Sequence, residues 1–302
     1  MRELNGTITA CITPFNDKSV DYAGLKHNLE EQVRQGVDGV LVLGTTGEPP
    51  TLTHEERIEI IKTAVEVGKG RTAVWVGTGA NSTEGTIQQT MEAQNLGADV
   101  ALIVSPYYNC PTQEGIYQHI RAVHEATSIP ICLYNIPKRA ATKIETPTIL
   151  RLSELERVIA LKDATGDTQQ LEELVVRFGH TPQLSILSGD DALTFSMIAL
   201  GAKGVVSVAS NIVPSEMVKL VKTLRAGNID EAREIHYSLL SLFKALFIEV
   251  NPIPIKAAMT LWDLPAGLCR LPLTVIEEDN LRVLSSVLQH YHHLRPTIRR
   301  GS

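Results

Sequence analysis

The 302-residue sequence holds only four cysteines, Cys11, Cys110, Cys132 and Cys269, and none stands in CxxC spacing. That argues against a disulfide scaffold and against a cysteine-rich zinc site. Cys11 and Cys132 fall inside apolar runs, where a free thiol behaves as a small hydrophobe, and the reading is a reducing, cytoplasmic compartment. No apolar run reaches the ~18 residues that a membrane helix needs, and the opening MRELNGTITA is too polar for a signal peptide. Positive charge is short as well. The 28 Lys and Arg stand against 34 Asp and Glu, a net −6, so no basic face for nucleic acid is expected. The one basic run, RPTIRRGS at the C-terminus, reads as a solvated tail. Gly77-Thr78-Gly79 lacks the lysine of a phosphate-binding loop, and His54-Glu55-Glu56 is not a zinc-protease motif. His290, His292 and His293 read as a solvated helix end, so no metal is expected.

What the sequence does have is regular alternation. Eight short runs rich in Val, Ile, Leu and Ala occupy 7–13, 39–43, 73–77, 100–104, 131–134, 158–161, 184–187 and 204–207. None alternates strictly, which suits strands covered on both faces in a parallel sheet. Amphipathic stretches lie between them. One is 22–35, with Leu25, Leu29 and Val33 at helical spacing; another is 54–67, where Thr53 and Glu56 form a capping box. The phrases QGVDGV, LGADVA and LGAKGV each lead from a helix to a strand through a glycine suited to a helix C-terminus. Strands alternating with helices predict an α/β fold, a (β/α)8 TIM barrel. A doubly wound sheet would need a glycine-rich turn after its first strand, where Thr13-Pro14-Phe15-Asn16 stands instead. Residues 1–225 are read as the barrel carrying the active site. Residues 226–302 are read as a C-terminal helical segment, with helices over 229–249, 254–261 and 274–294.

Barrel chemistry belongs at the C-terminal strand ends. Lys162 follows the apolar run VIAL. A lysine held there loses hydration, which disfavours its charged form, and a neutral amine attacks carbonyls to form imines. Taken alone, such a lysine more commonly snorkels to water. Its companions change the weighing. Gly44-Thr45-Thr46-Gly47 offers hydroxyls and successive N–H groups to a small carboxylate, although by itself it is an ordinary turn. Tyr134 can relay a proton through a hydroxyl such as that of Thr46, or simply pack at the rim. The fork of Arg139 suits a second carboxylate, or faces solvent. Asp190 and Asp191 read as helix caps after the seventh strand. The set as a whole fits a 2-oxo acid and a second acidic substrate.

These phrases run in order from GTITACITPF through GTTGEPPTLTHEE, VGTGANST, SPYYNCPTQEGIYQH, LYNIPKR, ALKDATGD, LSGDDA, GAKGVVSVASN and NPIPIK to RLPL. In them the chain resembles the pyruvate-dependent class I aldolases and, within that superfamily, the 4-hydroxy-tetrahydrodipicolinate synthases (dihydrodipicolinate synthases). The resemblance implies a lyase of lysine and diaminopimelate biosynthesis that condenses pyruvate with L-aspartate-4-semialdehyde. It implies no metal or organic cofactor, because the imine on Lys162 is formed with the substrate itself. It implies a proton relay of Thr46, Tyr134 and Tyr108, with Tyr108 reaching into a neighbouring subunit's site. Thr45 and Thr46 would hold the pyruvate carboxylate, Arg139 would hold that of the semialdehyde, and Gly189 and Val206 would line the pocket. The implied assembly is a homotetramer, a dimer of dimers. The N-acetylneuraminate lyases are similar too, but carry Ser-Thr in place of Thr45-Thr46 and no arginine in the place of Arg139. A non-catalytic barrel that binds a small acid is the third reading, disfavoured by the intact Lys162, Tyr134 and Thr46. His54, Asn81 and Tyr107 fall where the family binds inhibitory lysine. Pro49 and Pro50 depart from that pattern, and Gly85 stands where a glutamate is expected, so feedback is expected to be weak or absent.

Overall fold

The eight apolar runs become eight parallel strands because each is covered on one side by its neighbours across the barrel and on the other by a helix. The computed structural model describes residues 4–17, 19–178 and 184–295; the basic run RPTIRRGS lies outside the described residues except for Arg295, which pairs with Asp263. Strand β1 is Gly6–Ala10, and a two-stranded hairpin, β2 (Phe15–Asn16) and β3 (Ser19–Val20), follows it. Then come β4 (Gly39–Val42), β5 (Ala73–Gly77), β6 (Val100–Val104), β7 (Ile131–Asn135), β8 (Val158–Asp163), β9 (Ser185–Ser188) and β10 (Gly204–Ser207). The barrel closes in the order β1-β10-β9-β8-β7-β6-β5-β4, with β1 pairing β4 in parallel through Ile8↔Gly39 to Ala10↔Leu41.

Helices α1 (Tyr22–Arg34), α2 (His54–Gly68), α3 (Thr83–Asn95) and α4 (Gln113–Ala126) follow β1, β4, β5 and β6. A single turn, α5 (Pro137–Ala140), and then α6 (Thr146–Ser153) follow β7. Next are α7 (Thr168–Phe178), α8 (Thr194–Ala199) and α9 (Pro214–Arg225), one after each remaining strand. The starts are capped as the sequence dictates. Thr53 Oγ1 accepts from Glu56 N at 3.2 Å while Glu56 accepts from Thr53 N at 3.0 Å, the expected capping box. Several stops are glycines. Gly36, Gly97 and Gly201 have φ of 78°, 95° and 117°, and the residue after each donates back five positions, as in Ala98 N to Ala93 O at 3.0 Å.

Beyond the barrel stand α10 (Ile229–Ala245), α11 (Ile253–Leu261) and α12 (Glu278–His290). Their apolar faces share the core of the barrel: Ile255, Ala258 and Met259 belong to the same buried cluster as Ile8, Leu41 and Leu133.

Several boundaries differ from the sequence reading; the last helix, for one, is Glu278–His290 and not 274–294. The first strand ends at Ala10 rather than reaching residue 13: Pro14 has no N–H for a ladder, and the Ile12 N–H is taken by Asn211 Oδ1 at 3.2 Å. The sixth barrel strand runs two residues further, because Lys162 and Asp163 pair with Tyr134 and Asn135 on one side and with Leu187 and Ser188 on the other. Helix α10 stops at Ala245, short of 249.

Candidate active site

Five of the eight strand ends bring the predicted residues to one rim. Lys162 is the penultimate residue of β8 and Tyr134 the penultimate residue of β7, and they are direct register partners. Side chains of adjacent, registered strand residues share a face, so Lys162 Nζ lies 4.1 Å from the centre of the Tyr134 ring. Lys162 is 5% exposed. It therefore does not snorkel to water, the alternative that its sequence setting left open. Next to it, Asp163 is buried too, and burial pushes its carboxyl above the usual range. Behind the ring, Cys132 is buried and its thiol is pushed up to about 12, a packing residue and not a nucleophile.

The loop after β4 turns immediately. Gly44 caps a short 3₁₀ turn, Thr45–Gly47, closed by Gly47 N to Gly44 O at 2.8 Å. Leu43 and Glu48 flank this turn with φ of 56° and 55°. The strained entry depends on the next strand. A Cβ on Gly77 would stand 2.0 Å from the Leu43 carbonyl oxygen, so only glycine lets the two backbones approach. Thr13 Oγ1 donates to Gly47 O at 2.7 Å and ties the turn to the end of β1.

Thr46 is buried and Thr45 half-buried. The hydroxyl of Thr46 accepts a hydrogen bond from Asn251 Nδ2 at 2.9 Å. Among the described residues no hydrogen bond joins it to Tyr134, and none is made by the Tyr134 hydroxyl. Arg139, in α5, has an exposed stem, and its Nη2 donates to the main-chain oxygen of Asn251 at 3.0 Å.

Gly189 follows β9. Its N–H donates to Asp163 O at 2.6 Å, and a Cβ there would meet Ala164 at 2.8 Å, so glycine permits the close packing of the β8 and β9 ends. Val206 is buried in β10, in register with Ile8. Tyr108 is not part of this cluster within one chain: it is 89% exposed, with φ of 76°. Tyr107, His54 and Asn81 are also exposed; His54 Nε2 lies 3.3 Å from Glu92, and the Asn81 carbonyl accepts from Asn109 at 2.7 Å.

Asp190 caps the turn after β9, accepting from Ala192 N at 2.9 Å, as expected. Asp191 does something else. It is buried, its Oδ2 accepts from Val208 N at 3.0 Å and Ala209 N at 2.8 Å, and burial lifts its carboxyl to about 6. It ties the loop after β9 to the loop after β10 and is not a second cap.

Sequence reasoning missed three further residues. Glu48, two positions after Thr46, is buried and paired with Lys256 Nζ at 2.6 Å. Asn251 and Lys256 both come from the segment after the barrel. A lone lysine in the apolar helix IPIKAAM was a legible sign of a buried ion pair. Asn251, between Val250 and Pro252, carried no comparable sign. The opposite end of the barrel holds a cavity of about 1200 Å³ lined by residues such as Asp38, Arg71 and Asp99. It gathers none of the predicted residues. Asp38 and Asp99 are spent on the backbone N–H groups of Thr7 and Val74, at 2.8 and 2.7 Å. Among the described residues no group of three or more His, Cys, Asp or Glu is arranged to hold a metal.

The chain is similar to known proteins over nearly its whole length. The Dihydrodipicolinate synthetase family profile matches residues 3–291. The 4-hydroxy-tetrahydrodipicolinate synthase of Protochlamydia amoebophila is 50% identical over 287 residues, spanning 94% of this chain and 96% of that one. The chloride-inhibited dihydrodipicolinate synthase of Acinetobacter baumannii, solved in complex with pyruvate, superposes with a TM-score of 0.92 at 38% identity, covering 95% of this chain and 99% of that one. A structure described as the first monomeric dihydrodipicolinate synthase variant superposes with a TM-score of 0.93 at 37% identity, covering 96% and 97% of the two chains.

Proposed function

The chain belongs to the dihydrodipicolinate synthetase family, and on that premise we propose how its residues condense pyruvate with L-aspartate-4-semialdehyde. The activity is that of a lyase, 4-hydroxy-tetrahydrodipicolinate synthase, of lysine and diaminopimelate biosynthesis. Lys162 Nζ adds to the keto carbon of pyruvate, and the carbonyl oxygen leaves as water. Loss of a methyl proton turns the imine into an enamine. The enamine carbon attacks the aldehyde carbon of the semialdehyde, whose oxygen takes up a proton. The semialdehyde's own amine then displaces Lys162 from the imine carbon, closing the ring and freeing the enzyme.

Tyr134 and Thr46 carry the protons, with Tyr108 of a neighbouring copy completing the relay. Thr45 and Thr46 hold the pyruvate carboxylate against Gly189 and Val206, and Arg139 holds the carboxylate of the semialdehyde. No metal or organic cofactor has a step to perform, since an amine and hydroxyls complete the proton and electron balance. Dialysis against a chelator should leave turnover unchanged. The exposed Tyr108 supports a working unit of at least two chains, and we read the assembly as a tetramer of two such dimers; sedimentation velocity measures it. Four cysteines left as thiols support a cytoplasmic setting.

The observation that carries the reading is a buried lysine amine 4.1 Å from the Tyr134 ring at the C-terminal end of adjacent barrel strands. Mass spectrometry after borohydride reduction with pyruvate should find the adduct on Lys162. A coupled assay should then show turnover with the semialdehyde and none with N-acetylneuraminate. An unlabelled Lys162, or preference for the sugar acid, overturns the proposal.

A further inference from the structure

Asn251 lies in the link between α10 and α11, outside the barrel, yet it is buried and touches both groups assigned above to substrate carboxylates. Its side-chain Nδ2 donates to Thr46 Oγ1 at 2.9 Å, and its main-chain oxygen accepts from Arg139 Nη2 at 3.0 Å. We propose that Asn251 is the positioning residue of the reaction, setting the direction in which Thr46 donates its hydroxyl proton.

The argument is one of hydrogen-bond inventory. A threonine hydroxyl has one proton to give and two lone pairs to receive with. An amide N–H already occupies one lone pair of Thr46. The hydroxyl proton therefore cannot point at Asn251 and is left to be donated on the other side, where an anionic carboxylate is the strongest available acceptor. The link is rigid. Further along the chain, Lys256 of α11 is bonded to Glu48, two residues beyond Thr46, at 2.6 Å. The same two backbone segments are thus joined twice, once through Asn251 and once through Lys256. Asn251 Oδ1 is buried without a hydrogen-bond partner. The bond to Thr46 is thus the one hydrogen bond of that side chain among the described residues.

The two bonds of Asn251 separate in a test, because one belongs to the side chain and the other to the main chain. The proposal rests on the pyruvate reading. The wild-type protein is therefore first trapped with pyruvate and borohydride; no adduct there overturns that reading, and this proposal with it. With the adduct in hand, Asn251→Ala should raise the KM for pyruvate roughly 5- to 10-fold, the worth of one neutral hydrogen bond. The KM for the semialdehyde should stay within about twofold, since the carbonyl that holds Arg139 remains. Asn251→Asp is nearly isosteric and keeps the test open should the alanine variant not fold. A carboxylate only accepts, so the bond to Thr46 must reverse, and Thr46 must give its proton to the introduced carboxylate instead of to substrate. The aspartate variant is therefore expected to be worse than the alanine variant, by roughly a further tenfold in pyruvate kcat/KM. A residue that merely fills space would give the opposite order, and would move both KM values and the melting temperature together. That result, or wild-type pyruvate kinetics in Asn251→Asp, overturns the proposal.

Discussion

Lys256→Met tests how the helical segment is fastened to the catalytic rim. In the native chain Lys256 and Glu48 are 2% and 1% exposed, with Nζ 2.6 Å from Oε1. The ammonium also donates to Leu268 O at 3.1 Å and lies 4.1 Å from the centre of the Phe15 ring. Burial pushes the Lys256 amine below its usual range, and Glu48 pulls it back. Methionine keeps the length and volume of the stem but removes the charge. It leaves a carboxylate out of water, held only by neutral partners: Arg270 N, donating to Oε2 at 3.0 Å, and the Cys269 thiol. Removing one partner of a buried pair costs about 3–5 kcal/mol, because the other charge is stranded. At about 2–4 °C per kcal/mol for a chain somewhat smaller than this one, the melting temperature should fall by roughly 5–15 °C. Adding Glu48→Gln should restore most of the loss, since the pair is then replaced by neutral groups of similar shape. Urea unfolding of the wild type, the two single variants and the double variant measures the coupling. A single variant within about 1 kcal/mol of wild type would refute the reasoning, as would a double variant no better than the worse single one.

Lys162→Ala should abolish turnover and the borohydride adduct together, while Tyr134→Phe should lose about 10²–10⁴-fold in kcat; stopped assays of both variants decide, and a phenylalanine enzyme at full rate removes Tyr134 from the relay. Burial holds His119 down at about 4 from the ordinary 6.5, so it stays neutral in the fold while the unfolded chain takes up a proton. Stability is therefore unaffected above pH 6.5 and falls as the pH drops from 6.5 towards 4, by up to about 3 kcal/mol from this residue. His124 and His236, also held low by burial, add in the same direction. Urea midpoints of His119→Gln against pH should show a shallower slope, and an unchanged slope counts against the assignment. L-Lysine at millimolar concentration is expected to inhibit weakly or not at all, because Gly85 offers no carboxylate and Glu84 accepts from Gln88 at 3.1 Å; steady-state rates with added lysine check this, and strong inhibition reverses it.

The local half of this molecule was legible in the sequence. Each barrel strand is a short apolar run, and several helix starts and stops are written in residues within a turn of them, as with Thr53 and Glu56 or Gly97. Lys162 stood out because a charge inside VIALKD contradicts its surroundings. The strand's true end was not legible, since Lys162 and Asp163 are strand only by virtue of their partners on β7 and β9.

Periodicity reports whether a segment is buried, but not against what. That Lys162 faces the Tyr134 ring required the register of two strands. That Asn251 meets Thr46, 205 positions away, and Lys256 meets Glu48, 208 positions away, required the closed barrel and the helices folded back across its rim. The order of elements and the charge at the end of the apolar run VIAL were set by the chain's local chemistry. The partners that aim its hydroxyls and hold its guanidinium were chosen only by tertiary packing, because hydrogen bonds between distant residues leave no periodic trace in either segment.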